Sequence, residues 1–66
     1  MISFEPFFKT LERKGMSQYQ LIHDYHVSTG TLDAMRKNKS VTLNTIVDLC
    51  VILDCEIQDI VKIVKS

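Results

Sequence analysis

The chain has 66 residues with eight basic and eight acidic side chains, 45% hydrophobic and 24% charged residues, two glycines and one proline. A chain this short makes one domain that buries only about 60% of its unfolded surface, leaving little room for a catalytic cleft. No apolar run approaches the roughly 18 residues of a membrane span. The first residues lack the basic start and apolar core of a signal peptide, and the two cysteines make no disulfide framework, so a reducing cytoplasm is the expected compartment.

The first predicted helix carries Phe4, Phe8 and Leu11 at i, i+4, i+7, one apolar stripe. Pro6 suits a first turn, where its missing N–H has no partner to lose. Gly15 suits a left-handed C-terminal cap. Ser17 opens the second helix: its hydroxyl and Gln20 form a capping box, and Met16 can staple onto Leu21. Ser28 opens the third, with Val27 facing Leu32. Thr42 opens the fourth, with Val41 facing Ile46.

Helix four is apolar at Leu43, Ile46, Leu49, Cys50 and Leu53, and Val47, Val51 and Ile52 widen that face. The segment from about Glu56 to Val64 places Ile57, Ile60, Val61 and Val64 at helical spacing, which predicts a fifth helix. Its β-branched content keeps a strand open as the alternative.

Between Gln18 and Lys37, a helix to about Tyr25, a two-residue turn and a helix from Ser28 make a helix-turn-helix pattern. Leu21, Tyr25, Val27, Leu32 and Met35 are the expected contacts that lock the two helices at a steep angle. That geometry projects the front of the later helix outward, where it can enter a major groove. Charge leans the same way. Between Lys9 and Lys39 there are six basic residues against three acids; from Thr42 to Ser66 there are two against four. Two solvated faces without a binding role would give the same count.

MSQYQL, VSTGTLDAMRKNKS and TLNTIVDLCVILDCEIQDI together resemble the lambda-repressor-like family, the phage Cro and repressor type of helix-turn-helix. The likeness runs from about Phe4 to Val64. It implies an all-α, compact five-helix bundle with a central helix-turn-helix, acting on double-stranded DNA as a transcriptional regulator, in the usual case a repressor. On that likeness Ser17, Gln18, Arg36, Lys37, Asn38 and Lys39 are expected at the DNA backbone. Ser28, Thr29, Gly30, Asp33 and Ala34 are expected at the bases. Backbone contacts set register and salt-dependent affinity; base contacts set sequence choice.

The sequence also departs from that family. His26 stands where glycine is usual in the turn, and Ile22 where a small residue is usual. The reading face offers Thr, Gly, Asp and Ala, none of which makes a bidentate purine contact. Modest intrinsic specificity, helped by DNA shape, is the expectation. Asp33 is unfavourable near phosphates unless Arg36 or Lys37 neutralises it. Each position also has a plainer role: Gln18 as a helix-start residue, Lys37 and Lys39 as solvated lysines, Thr29 and Thr31 as N-terminal helix residues.

His23, His26, Cys50 and Cys55 do not have zinc-finger spacing, and Cys50 belongs to the helix-four face, so no metal, cofactor or catalytic residue is expected. No small-molecule ligand is evident. A homodimer is the expected assembly, with Val47, Val51 and Ile63 as surplus apolar positions. The alternative is a protein-interaction module of this fold, antitoxin-like or an accessory subunit, with weak or no specific DNA reading. The neutral net charge favours it.

Overall fold

The computed structural model describes residues 1–65. A short strand β1 (Ile2–Ser3) leads into α1 (Glu5–Lys14), α2 (Gln18–Tyr25), α3 (Thr29–Arg36) and α4 (Leu43–Leu53). A 3-10 turn (Ile57–Asp59) and strand β2 (Lys62–Ile63) complete the order. The class is all-α, with four α-helices among the described residues rather than the expected five.

Each helix begins and ends for a local chemical reason. Phe4 precedes α1, Pro6 lies in its first turn, and Glu5 at one end and Arg13 and Lys14 at the other complement the helix dipole. Gly15 closes it at φ 67°, in the left-handed region. Met16 N–H then reaches Leu11 O at 2.9 Å, and Gly15 N–H reaches Glu12 O at 3.1 Å, the two bonds of a Schellman motif. The Ser17 box forms as expected: Gln20 N–H donates to Ser17 Oγ at 3.1 Å, and Ser17 N–H to Gln20 Oε1 at 2.9 Å. Ser28 Oγ accepts from Gly30 N–H at 3.1 Å, and Thr42 Oγ1 from Thr45 N–H at 3.2 Å. His26, Asn38 and Asp54 supply the left-handed residues that end α2, α3 and α4.

The core collects Phe4, Phe7, Leu11, Leu21, Leu32, Met35, Ile46, Leu49, Leu53 and Ile60. All four helices therefore share one interior. Leu21 and Leu32 are fully buried and lock α2 to α3. Truncating either to alanine is expected to cost about 2–5 kcal/mol, a large part of the total stability of so small a domain.

Several expectations need correction. Phe7 is fully buried, whereas Phe8 is only partly so; its ring sits edge-on to Phe7 at 5.0 Å. Tyr25 is 47% exposed and is not core: α2 ends there, and the residue lines a surface cleft with Val27, Thr31 and Asp48. Leu43 is 75% exposed: it sits in the first turn of α4, on the outer side shared with Val47.

The fifth helix is absent over 56–64. Glu56 N–H is held by Asp59 Oδ2 at 3.1 Å, which starts only a 3-10 turn. Thr10 Oγ1 donates to Asp59 O at 2.7 Å, tying that turn to α1 and satisfying a buried hydroxyl. Beyond Ile60 the chain extends and pairs antiparallel with β1, setting Ile2 opposite Ile63 and Ser3 opposite Lys62. Val64 N–H continues the pairing to Met1 O at 2.9 Å. The β-branched residues favour this extended form once a neighbouring strand offers hydrogen bonds.

Candidate nucleic-acid interface

The bend between α2 and α3 is built from two residue choices. His26 takes φ 58°, a conformation that glycine adopts without cost and histidine at some cost. Val27 N–H bonds Leu21 O at 3.0 Å, and Ser28 is extended before capping α3. Val27 and Ile22 pack against the core beneath the bend. α3 is therefore anchored by Leu32 and Met35 on its inner side. Ser28, Thr29 and Gly30 at its front are exposed, and Asp33 and Ala34 are partly exposed. None of the five is buried under the chain's own side chains.

Gly30 is not demanded by packing. A Cβ added there meets only Ser28 Oγ at 3.4 Å, an ordinary contact. Helix propensity disfavours glycine at such a site. The open surface in front of it is what the glycine keeps.

The basic residues at the far end of α3 are organised by two polar groups. The Arg36 guanidinium donates to Gln18 Oε1, joining the end of α3 to the start of α2. Lys37 Nζ lies 3.0 Å from Asp33 Oδ2, and Arg36 Nη2 lies 3.7 Å from Asp33 Oδ1. The hydrogen bond and charge of Lys37, followed by the charges of Arg36 and Lys39, hold the Asp33 carboxyl below its usual range. Asp33 is thus an ionised group already partnered by two cations. That answers the expected clash with phosphate in part, and it occupies Lys37 in the process.

Asn38 does a structural job. It takes φ 55° and closes α3 with a Schellman motif, in which Lys39 N–H bonds Ala34 O at 2.8 Å and Asn38 N–H bonds Met35 O at 3.1 Å. Its Oδ1 accepts from Phe4 N–H at 2.9 Å, fixing the loop to the start of α1. Ser17 spends its hydroxyl on the cap. Lys39 is exposed and has no carboxylate ion-pair partner among the described residues.

Lys9 on α1 lines the same cleft as Arg36 and Asn38, and the sequence reading did not single it out. Its ammonium is paired with Glu5 at 2.9 Å. Tyr19 has no role expected from the sequence, and His23 is weighed there only as a metal ligand. Their rings stack at 5.5 Å on the solvent side of α2, one turn apart, next to Gln18. The i, i+4 spacing of two rings on a polar face is the signal that marks them.

A family model described as the Cro/C1-type HTH DNA-binding domain matches residues 9–66. The chain belongs to the Cro/C1-type HTH family. A crystal structure of the transcriptional regulator VanUg, in its form II, is similar to it with a TM-score of 0.88 and 26% sequence identity. The match covers 98% of this chain and 87% of that one. A search of curated protein sequences gives no match.

Arg36 at the end of α3 is joined to Gln18 at the start of α2, and Lys37, Asn38 and Lys39 follow directly in the loop after α3. The dimer candidates do not gather in the same way. Val47 and Val51 lie on the outer face of α4, 57% and 76% exposed, in a groove with Leu43 and Ile57. Ile63 is exposed on β2 and does not line that groove. No helix among the described residues is long and apolar enough to cross a membrane, and no cluster of three or more His, Cys, Asp and Glu among them is placed to hold a metal.

Proposed function

We propose that this Cro/C1-type chain is a sequence-specific transcriptional repressor, working in the cytoplasm by occupancy of DNA rather than by catalysis. α3 enters the major groove. Ser28, Thr29, Gly30, Asp33 and Ala34 face the bases. Gln18, Arg36, Lys37 and Lys39 meet the backbone, with Ser17 and Asn38 holding the two loops in place. The observation that carries the reading is the uncovered front of α3 on a bend anchored by the buried Leu21, Leu32 and Met35. Selection from random duplexes, followed by titration at two salt concentrations, tests it. The reading expects one preferred site whose affinity falls with salt at about 0.9 log units per phosphate contacted, with the preference kept. Equal affinity for every duplex, or no binding at low salt, would count against it.

The acting form is proposed to be a homodimer through α4. Leu43, Val47, Val51 and Ile57 make an apolar stripe too exposed for a helix that faces only water. α4 also has no acid in its first turn and no base in its last. Antiparallel pairing of two copies would set each uncompensated helix end against the opposite end of the other.

The same stripe, with the neutral net charge, supports a second reading: an interaction module that binds another protein and reads DNA weakly. The titration separates the two, because a module predicts no salt-dependent site preference.

A further inference from the structure

Cys50 and Cys55 are the two thiols of the chain, and both are partly exposed. The way α4 ends brings them together. Asp54 takes φ 50°, Asp54 N–H bonds Val51 O at 3.3 Å, and Cys55 N–H bonds Cys50 O at 3.0 Å. This is a Schellman motif, which sets the side chain after the left-handed residue against the one five positions earlier. At the end of α1 that pair is Leu11 and Met16, an ordinary apolar contact. At the end of α4 both members are cysteine.

The 3.0 Å backbone bond also limits the Cα separation of Cys50 and Cys55. With standard bond lengths it cannot exceed about 7 Å, close to the upper end of the span a disulfide accepts. Both thiols open onto the groove lined by Val47, Val51 and Ile57, so a small reagent can reach them.

We infer that Cys50 and Cys55 form a closable dithiol, a modification site that takes a low-molecular-mass disulfide such as oxidised glutathione. Cys50 attacks one sulfur of the reagent and releases one thiol. Cys55 then gives up its proton and attacks Cys50 Sγ, releasing the second thiol. Two electrons pass to the reagent, and the two protons leave on its thiols. The order of attack follows from the surroundings of Cys55. Burial, the Cys50 thiol and the Asp59 carboxylate push its pKa up to about 11. It is the resolving rather than the initiating thiol, and closure accelerates as pH rises. The product staples the last turn of α4 to the start of the segment that leads to β2.

The test incubates the full chain with a fixed ratio of oxidised to reduced glutathione at mildly alkaline pH. Mass spectrometry and peptide mapping read the products, in parallel with Cys50→Ser, Cys55→Ser and the urea-unfolded chain. The inference expects the folded wild type to lose two hydrogen atoms, retain no glutathione and remain one chain, while Cys55→Ser accumulates the glutathione adduct on Cys50 and Cys50→Ser reacts far more slowly. It also expects the closed fraction, as an effective concentration, to be at least about tenfold higher folded than unfolded. Any of four results overturns it: wild type keeping glutathione like Cys55→Ser, cross-linked dimers as the main product, thiols that stay alkylatable, or equal closure in the unfolded chain.

Discussion

The Arg36 guanidinium donates to the side-chain carbonyl of Gln18, so the last residue of α3 is fastened to the first residue of α2. Two groups expected at the DNA backbone are thus oriented by one another before any DNA arrives. Both lie at the surface, so the bond itself contributes little to folding, about 1 kcal/mol or less.

The consequence for binding is larger than for stability. Arg36→Ala is expected to weaken DNA binding by about tenfold and to reduce the salt slope by about one. Gln18→Ala should weaken binding uniformly across sequences without changing their ranking. Anisotropy titrations over a salt series, with thermal melts of each variant, check both. An altered sequence preference in Arg36→Ala would place Arg36 at a base instead.

Gly30 separates stability from function. Alanine there meets only Ser28 Oγ at an ordinary distance. Gly30→Ala should therefore raise stability by up to about 1 kcal/mol. If the glycine leaves room for DNA, the same change lowers affinity. A urea midpoint and a binding curve on the same sample decide it; unchanged affinity would make Gly30 incidental.

Asp33 gives a pH signature. Its carboxyl is held below the usual value of 3.8, chiefly by Lys37. A depressed acid stabilises the folded state above its unfolded pKa, and that contribution fades as pH falls through the folded value. Asp33→Asn should flatten the loss of Tm in that acidic window. It should also tighten DNA binding near neutrality, because one negative charge leaves the interface and Lys37 is released. Melts over an acidic pH series, with one neutral-pH titration, check the two arms. Weaker binding by Asp33→Asn would assign the carboxylate a direct role, such as accepting from cytosine.

Val51 is 76% exposed on α4, so Val51→Lys should leave the fold intact. If α4 pairs two copies, the substitution brings charge into an apolar contact and shifts the assembly to monomer. Sedimentation at micromolar concentration reads the difference from wild type. A wild-type chain that is already monomeric there would remove α4 as a self-association surface.

Local chemistry was the most legible part of the sequence. Ser17, Ser28 and Thr42 act within three residues of themselves, so their caps could be read without tertiary knowledge. Gly15 and His26 were readable for the same reason. The segment after Glu56 was not, because its form depends on β1, more than fifty residues earlier in the chain. Ile57, Ile60, Val61 and Val64 keep helical spacing, but the extended N-terminus supplies a partner for Lys62 and Ile63.

The site was legible in outline and not in its connections. The exposed front of α3 follows from the helix-turn-helix pattern, which needs only Leu21, Leu32 and Met35 pointing inward. The tie between Arg36 and Gln18 spans eighteen residues, and the Asn38 bond to Phe4 spans thirty-four. No local pattern encodes either. Leu43 shows the same limit: helical spacing gave α4 more apolar positions than the core can take, and only packing decided which stayed outside.

The most direct measurement is backbone amide NMR of the full chain titrated with its selected duplex. The account predicts the largest shifts at Gln18, at Thr29 through Ala34 and at Lys37 through Lys39, with Ile2 and Ile63 in the terminal ladder unmoved. Shifts confined to the outer face of α4, with the front of α3 silent, would contradict it.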